Sequence, residues 1–474
     1  MAIVDITSLP SHFDPRDTFL HQHFLIIQSI YQTLVRISES GDLVGDLAES
    51  WQVKESGTLY EFKLTNANFH DGTKVQARDV AYSISRHFHR DSESIIVGYL
   101  SNPMGQENRI LKPSEILPNI TYNDKSATLQ FKLEKPYPPF LYVLSMIGFS
   151  IVKEHPTELI GSGPLTVKNL KSNKIITLER NTSYVGPAPK MTKLILRKAP
   201  TLVEIQSNLT KGDTDMVIGA PMGEITRLGK YKEYVVEPTG SLGFHHLFFN
   251  MKDKRFQNDA HRTQLSFYLA QEIKKGTTPP FHEPIDTYLP HEVMPRDYYS
   301  RPAGKYDLTS LTKAWKGQSI KIIVRGAFLS ETFTDYVATV FTKIGIKPQI
   351  VRVDTKEFVR AVSETGYDMI FGTYVGNFPD PDGFLEPLSV ANKLQYGRGE
   401  TQPLMKEINE ARYLAEPRER LSKYQNILRT FESKGHFVPL YRTNIPIVRR
   451  KSLGVPGSHF RYESELWRIF WLFD

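Results

Sequence analysis

Ile320-Lys321-Ile322-Ile323-Val324 reads as a short apolar strand, and Lys347-Pro348-Gln349-Ile350-Val351-Arg352-Val353 reads as a second. Residues 331–342 lie between them and read as a helix, which makes the stretch a βαβ pattern. Residues 354–365 form a further expected helix and lead into a third strand, residues 369–373, mostly apolar and bounded by turn residues. Strands alternating with helices in this way predict an α/β fold.

The third strand runs into Tyr374-Val375-Gly376-Asn377-Phe378-Pro379-Asp380-Pro381-Asp382-Gly383-Phe384-Leu385. Pro379 and Pro381 remove backbone donors and fix φ, so no regular element continues through them. They also push Phe378 and Asp380 toward extended conformations. A strand that ends in a stiff loop carrying aromatics, an amide and carboxylates suits ligand capture, because the scaffold holds the loop and the loop presents the groups. An ordinary acidic surface turn is the competing reading.

The chain has 474 residues, more than one core usually supports, so two or three lobes are expected. Its apolar content of 40% and charged content of 23% are those of a globular protein. Net charge is +7, but the basic residues are scattered, and the densest runs, residues 449–451 and 171–174, are short. A nucleic-acid groove needs a clustered basic stripe, so no nucleic-acid partner is expected. The chain has no cysteine, which excludes disulfides, thiolate chemistry and cysteine-ligated metal centres. The longest apolar run, residues 140–152, contains two serines and is too short to cross a bilayer. No basic and apolar leader precedes Ile3, so either the protein stays in the cytoplasm or an export signal has been removed.

Nearer the start, residues 3–7 read as a strand, and residues 19–37 have apolar spacing compatible with one helix. Residues 43–51 read as a connector. Residues 52–54 and 60–64 then alternate as a hairpin across Glu55-Ser56-Gly57. After the turn at residues 68–72, a helix is expected over residues 77–87.

The run Gly45-Asp46-Leu47-Ala48-Glu49-Ser50-Trp51 resembles the signature of family 5 extracellular solute-binding proteins. Tyr60-Glu61-Phe62-Lys63-Leu64, Phe69-His70-Asp71-Gly72-Thr73 and Ala77-Arg78-Asp79-Val80-Ala81-Tyr82-Ser83-Ile84 follow that family in order and spacing. So do Pro136-Tyr137-Pro138-Pro139-Phe140 and the crossover Ile160-Gly161-Ser162-Gly163-Pro164-Leu165. Further matches are Gly212-Asp213-Thr214-Asp215, residues 243–250, residues 416–431 and Val438-Pro439-Leu440-Tyr441. Gly45 departs from the family, which usually has proline there.

The resemblance implies a type II periplasmic-binding fold with two large lobes, a hinge and an extra smaller lobe. Residues 1–37, 160–240 and 436–474 would form one large lobe, residues 38–159 the extra lobe, and residues 241–435 the other large lobe. It also implies a monomeric binding protein outside the cytoplasm that captures a peptide or similar solute between its large lobes and delivers it to the permease subunits of an ABC importer. No cofactor is expected.

In peptide-binding relatives an aspartate of the loop pairs with the peptide ammonium. The corresponding residue here is Asn377, and Tyr374 stands in the place of a tryptophan. The resemblance thus marks Tyr374, Val375, Gly376, Asn377 and Phe378 as ligand-contacting, with Phe13 from the opposing lobe. Asp380 matches a later aspartate of the motif and reads either as a ligand contact or as a turn-stabilising side chain. Asn250 reads either as a contact or as a strand-end cap, and His245 or its neighbour His246 as a further contact.

Histidine pairs two apart, His21 with His23 and His87 with His89, share no helix face, so no metal site is expected. Asp380-Pro381-Asp382-Gly383 fails the calcium-loop frame, which would place ligands where Phe384 and Ala391 stand. No nucleophile elbow, zinc-protease or phosphate-loop motif is present, so the chain reads as a binder and not an enzyme. The alternatives are a binder of a non-peptide solute, a sugar or metal chelate, and a cytoplasmic ligand-sensing domain. No helix-turn-helix precedes Ile3 to support the latter.

Overall fold

The computed structural model describes residues 1–10, 12–17, 21–38, 41–92, 94, 96–156, 158–171, 174–187, 189–220, 225–276, 282–291, 293–294, 304–326, 329–354, 357–358, 360–361, 366–385 and 402–453. The chain divides into two compact units. Unit 1 comprises Met1–Ala220, Arg227–Gly240 and Pro446–Asp474, and unit 2 comprises Pro221–Thr226 and Ser241–Ile445. Two of the divisions, at 240/241 and 445/446, fall inside the strands Tyr234–Phe249 and Phe437–Arg450.

Unit 1 is organised on the strand Ala2–Ile6, one residue ahead of the sequence expectation. It pairs in parallel with Lys193–Lys198 on one side and Met216–Ile218 on the other. Antiparallel strands Ile175–Arg180 and Leu165–Lys171 extend the sheet beyond Lys193–Lys198. A strand flanked on both sides and covered on both faces must be nearly all apolar, and Ala2, Val4 and Ile6 are buried. The exception is Asp5, also fully buried. It is held by Arg197 Nε at 2.7 Å and Asn208 Nδ2 at 2.8 Å, which meets the requirement that a buried carboxylate be paired.

The helical spacing over residues 19–37 survives only as His21–Ile30. Beyond Tyr31 the backbone is taken by other partners. Gln32 bridges Ile151, Thr33 N–H donates to Asp46 Oδ2 at 2.9 Å, and Val35–Ile37 pairs with Leu43–Gly45. Much of the expected connector over residues 43–51 is therefore strand. The hairpin is longer than its alternation suggested, Ala48–Lys54 against Leu59–Leu64, and it turns at Glu55-Ser56-Gly57, all three at positive φ. Thr128–Lys132 and Ile120–Asn123 complete a four-stranded antiparallel sheet. Its buried face carries Tyr60, Phe62 and Phe131 against Phe140, with ring centroids 4.7–5.7 Å apart. The helix expected over residues 77–87 is Ala77–Ser85, tightening to a 3-10 turn at Arg86–Phe88.

Unit 2 contains the βαβ stretch as read. Ser319–Arg325 pairs in parallel with Lys347–Val353, and the helix Glu331–Thr342 lies between them in sequence. Ser330 caps that helix, accepting from Phe333 N–H at 3.2 Å. Met369–Val375 joins the other edge of Ser319–Arg325 in parallel and pairs antiparallel with residues 243–249. The helices Asp259–Lys274, Leu308–Trp315 and Glu331–Thr342 bury Leu265, Leu269, Trp315, Val337 and Phe341 in a core with the strand residues Ile320, Ile322, Met369 and Phe371. Much of the helix expected over residues 354–365 lies outside the described residues. Among the described residues no helix is long and apolar enough to cross a membrane.

Candidate ligand-binding loop

The strand Met369–Val375 lies inside the sheet of unit 2, so the loop after it leaves from a fixed point. The last register pair is Val375 with Gly243. At Gly376 a Cβ would lie 2.1 Å from the Phe384 ring, so the close return of the loop requires glycine here. The loop closes on itself. Asn377 N–H donates to Gly383 O at 3.3 Å, Asp380 N–H to Phe378 O at 2.8 Å, and Gly383 N–H to Asp380 O at 2.9 Å. Pro381 opens the short helix Pro381–Leu385, a position where its missing N–H costs nothing.

Side chains divide sharply between inside and outside. Phe378, Phe384 and Leu385 are buried, and the Phe384 ring packs 5.5 Å from Phe244. Tyr288 Oη donates to Phe384 O at 3.3 Å. Asn377 is exposed and Val375 half-buried. The backbone of Tyr374 pairs with Phe244, while its side chain lies outside what the structure describes.

Two carboxylates of the loop are taken by arginines. Asp380 receives Arg420 in a fork, Nη1 to Oδ2 at 2.7 Å and Nη2 to Oδ1 at 2.6 Å. The Asp380 Oδ1 atom also accepts Asp382 N–H at 2.9 Å. Asp382, completely buried, receives Arg412 Nε at 2.6 Å. Arg412 ends the helix Gln402–Arg412, and Arg420 sits in the first turns of Pro417–Ser433, its guanidinium 4.9 Å over the Tyr424 ring. Buried cations facing buried anions in this way are fixed by geometry as well as charge. Both carboxylates of Asp380-Pro381-Asp382-Gly383 thus have an arginine as their cation.

The remaining residues marked in the sequence have local partners. Asn250 is buried, donates from Nδ2 to Tyr367 O at 2.9 Å, and accepts Lys252 N–H at Oδ1 at 3.2 Å, which is the geometry of a strand-end cap. His245 and His246 point to opposite faces of their strand. His245 Nε2 lies 2.9 Å from His282 Nε2, with Phe371 5.7 Å away, whereas the His246 ring stacks 5.2 Å from Tyr288. Burial, followed by repulsion from His282, His246 and Arg325, holds the His245 imidazole well below the usual histidine range. Phe13 belongs to unit 1, half-buried against the core that contains Val4 and Ile27. Among the described residues no three His, Asp or Glu side chains converge as metal ligands would.

Arg412 and Arg420 escaped the sequence reading, although a signal for Arg420 was there. Arg420, Tyr424, Ile427, Leu428 and Phe431 fall on one helix face, and all five are buried. A cation in register with an apolar stripe must be buried, and it must find an anion.

The family model for bacterial extracellular solute-binding proteins, family 5 Middle, matches residues 42–395. The probable D,D-dipeptide-binding periplasmic protein DdpA of Escherichia coli K12 is 23% identical, over 96% of this chain and 90% of its own length. The ABC transporter substrate binding protein CtaP of Listeria monocytogenes superposes with a TM-score of 0.81 at 18% identity, over 98% of each chain. The periplasmic binding protein DppA of Helicobacter pylori, solved with the peptide STSA, gives 0.77 at 20% identity, over 97% of this chain and 96% of that one. The fold is thus that of the periplasmic binding proteins, as the α/β alternation and the ordered motifs led one to expect.

Proposed function

Because the chain belongs to the bacterial extracellular solute-binding proteins of family 5, we propose that it is the capturing component of an ABC importer and that its cargo is a peptide or peptide-like solute. The family match over residues 42–395 carries this reading. The sequence likeness to a probable D,D-dipeptide-binding periplasmic protein supports it. Function outside the cytoplasm, action as a monomer, delivery to permease subunits and capture by hinge closure belong to the same proposal, as does the division into three lobes with residues 38–159 as the smaller one.

Val375, Gly376 and Asn377, with Tyr374 before them, are proposed to contact the cargo. Asn377 is the exposed group at the head of the loop. Phe378 and Asp380 serve the loop from beneath, through packing and through the Arg420 fork. An amide at position 377 accepts hydrogen bonds from an ammonium but adds no Coulomb attraction. The proposed cargo is therefore held largely through its backbone, by strand-like pairing.

The test is titration of the purified protein with di-alanine and with N-acetyl-di-alanine, in wild type and in Asn377→Asp. A hydrogen bond to a charged partner is worth about 1.5–3 kcal/mol. Asn377→Asp is therefore expected to tighten di-alanine roughly tenfold or more, at about 1.4 kcal/mol per decade, and to leave the acetylated form unchanged. Equal effects on both peptides would remove Asn377 from the ammonium end of the site. Binding of neither peptide by either protein, together with a thermal shift from another solute class, would favour the second reading, a non-peptide cargo. The neutral residue at 377 is the observation behind that reading.

A further inference from the structure

We propose that Arg412 and Arg420 are positioning residues for ligand binding: lying outside the loop, they set the orientation in which it presents Asn377. The inference rests on the reading of residues 374–377 as cargo-contacting.

The Asn377 N–H to Gly383 O bond is long, at 3.3 Å, and the two shorter bonds, Asp380 N–H to Phe378 O and Gly383 N–H to Asp380 O, each span only two or three residues. Two side chains tie the turn to elements outside it. Asp380 and Asp382 reach different helices, 40 and 30 residues further along the chain. Two attachment points fix a direction as well as a position. Asp380 Oδ1 takes both Arg420 Nη2 and Asp382 N–H, so the grip on one side chain is passed to the backbone of the turn. Phe378 and Phe384 add apolar anchors below, and at Gly383 a Cβ would sit 2.6 Å from Phe378 O, so the two ends of the turn are in contact.

Lysine at position 420 would keep the charge, but it has no planar fork to meet both oxygens of Asp380. It would also lose the guanidinium face over Tyr424. Asp380 would then keep the Asp382 N–H but lose the second prong of the fork, so its carboxylate could turn, and Asn377, three residues away, would shift with it. At Asp382 the contact is made by Arg412 Nε, a donor that lysine lacks, so Arg412→Lys would loosen the second attachment. These substitutions separate holding the loop from merely stabilising unit 2, because the buried charge remains balanced in both.

The experiment is amide hydrogen exchange of the intact protein, without added solute, in wild type, Arg420→Lys and Arg412→Lys, followed by di-alanine titration of the same samples. Exchange over residues 376–384 is expected to quicken roughly tenfold, with Ser319–Arg325 and Glu331–Thr342 unchanged, since local opening is independent of global unfolding. Di-alanine affinity is expected to fall by roughly tenfold in the same variants. Exchange that quickens uniformly across unit 2, or a loop that does not quicken, overturns the proposal. So does a loosened loop with unchanged affinity. If Arg420→Lys fails to fold, Arg412→Lys decides by the same readouts. Loosening confined to the loop in a protein whose wild type binds no peptide supports the attachment by the two arginines, and it refutes the peptide reading instead.

Discussion

Gly161→Ala is expected to cost about 3 kcal/mol of stability, the upper end of what overpacking does, read as a drop in the urea midpoint of unit 1. A Cβ at Gly161 would lie 2.1 Å from Ile30 O and 2.8 Å from the Tyr31 ring. Gly163 is tight too, with its Cβ 2.6 Å from Ile30 C and 2.7 Å from Ile30 O. The contacts to Ile30 are with backbone, and a backbone has no rotamer into which to retreat. Nor can the crossover slide away. Gly163 N–H donates to Ile30 O at 2.8 Å, His70 N–H to Gly161 O at 2.8 Å, and Asn181 Nδ2 to Gly163 O at 3.0 Å. The control is Gly98→Ala, where a Cβ meets nothing within 4 Å. That change should be neutral or stabilising by up to about 1 kcal/mol, since alanine is the better helix residue. Equal midpoints for Gly161→Ala and Gly98→Ala would show that the crossover adapts, contrary to the packing argument.

Mild acid is expected to weaken both units, through His87 in unit 1 and His436 in unit 2. Burial is the first cause for His87, followed by the positive charges of Arg16 and Arg86, and together they bring it down to about 3. Its Nδ1 lies 2.6 Å from Ser94 Oγ and its Nε2 2.9 Å from Gly148 O. His436 is brought down to about 4, again by burial first and then by Arg262 and Lys434. The folded protein keeps both rings neutral, while the unfolded chain protonates them near pH 6.5. Stability is therefore full above about pH 6.5 and falls as the pH drops toward the folded values, because the unfolded state then binds more protons. Between pH 7 and pH 5 each ring accounts for about 2 kcal/mol. Asp46 and Asp79, whose carboxyls burial pushes up, act in the opposite sense at lower pH. The readout is accordingly the difference between wild type and His436→Gln in the pH 7 to pH 5 loss of unit 2. The variant should lose about 2 kcal/mol less. Matching losses would mean that His436 is solvated or charged in the folded protein.

The sequence alone showed the α/β alternation, the βαβ stretch and the order of family motifs. These are local properties: apolar runs, turn residues and glycines at fixed spacing. It also narrowed the duties of Asp380 and Asn250 to two each, and the structure shows intramolecular partners for both, the Arg420 fork for one and the Tyr367 carbonyl in a strand-end cap for the other.

What the sequence misread was decided by distant partners. Residues 19–37 have the spacing of a single helix, yet residues 32–37 pair with Ile151, Asp46 and Leu43–Gly45, and long-range pairing overrode helical propensity. The face that each loop residue presents was likewise beyond reach. Asn377 is exposed and Phe378 buried in a loop whose Asp380 and Asp382 meet arginines 40 and 30 residues away, and no local pattern encodes that meeting. The sequence by itself determined the α/β alternation, the order of the motifs that resemble the family and the position of the loop, since these lie in short local runs. Only the tertiary structure decided which side of the loop faces outward, because a buried carboxylate is stable only where the fold brings a cation to it.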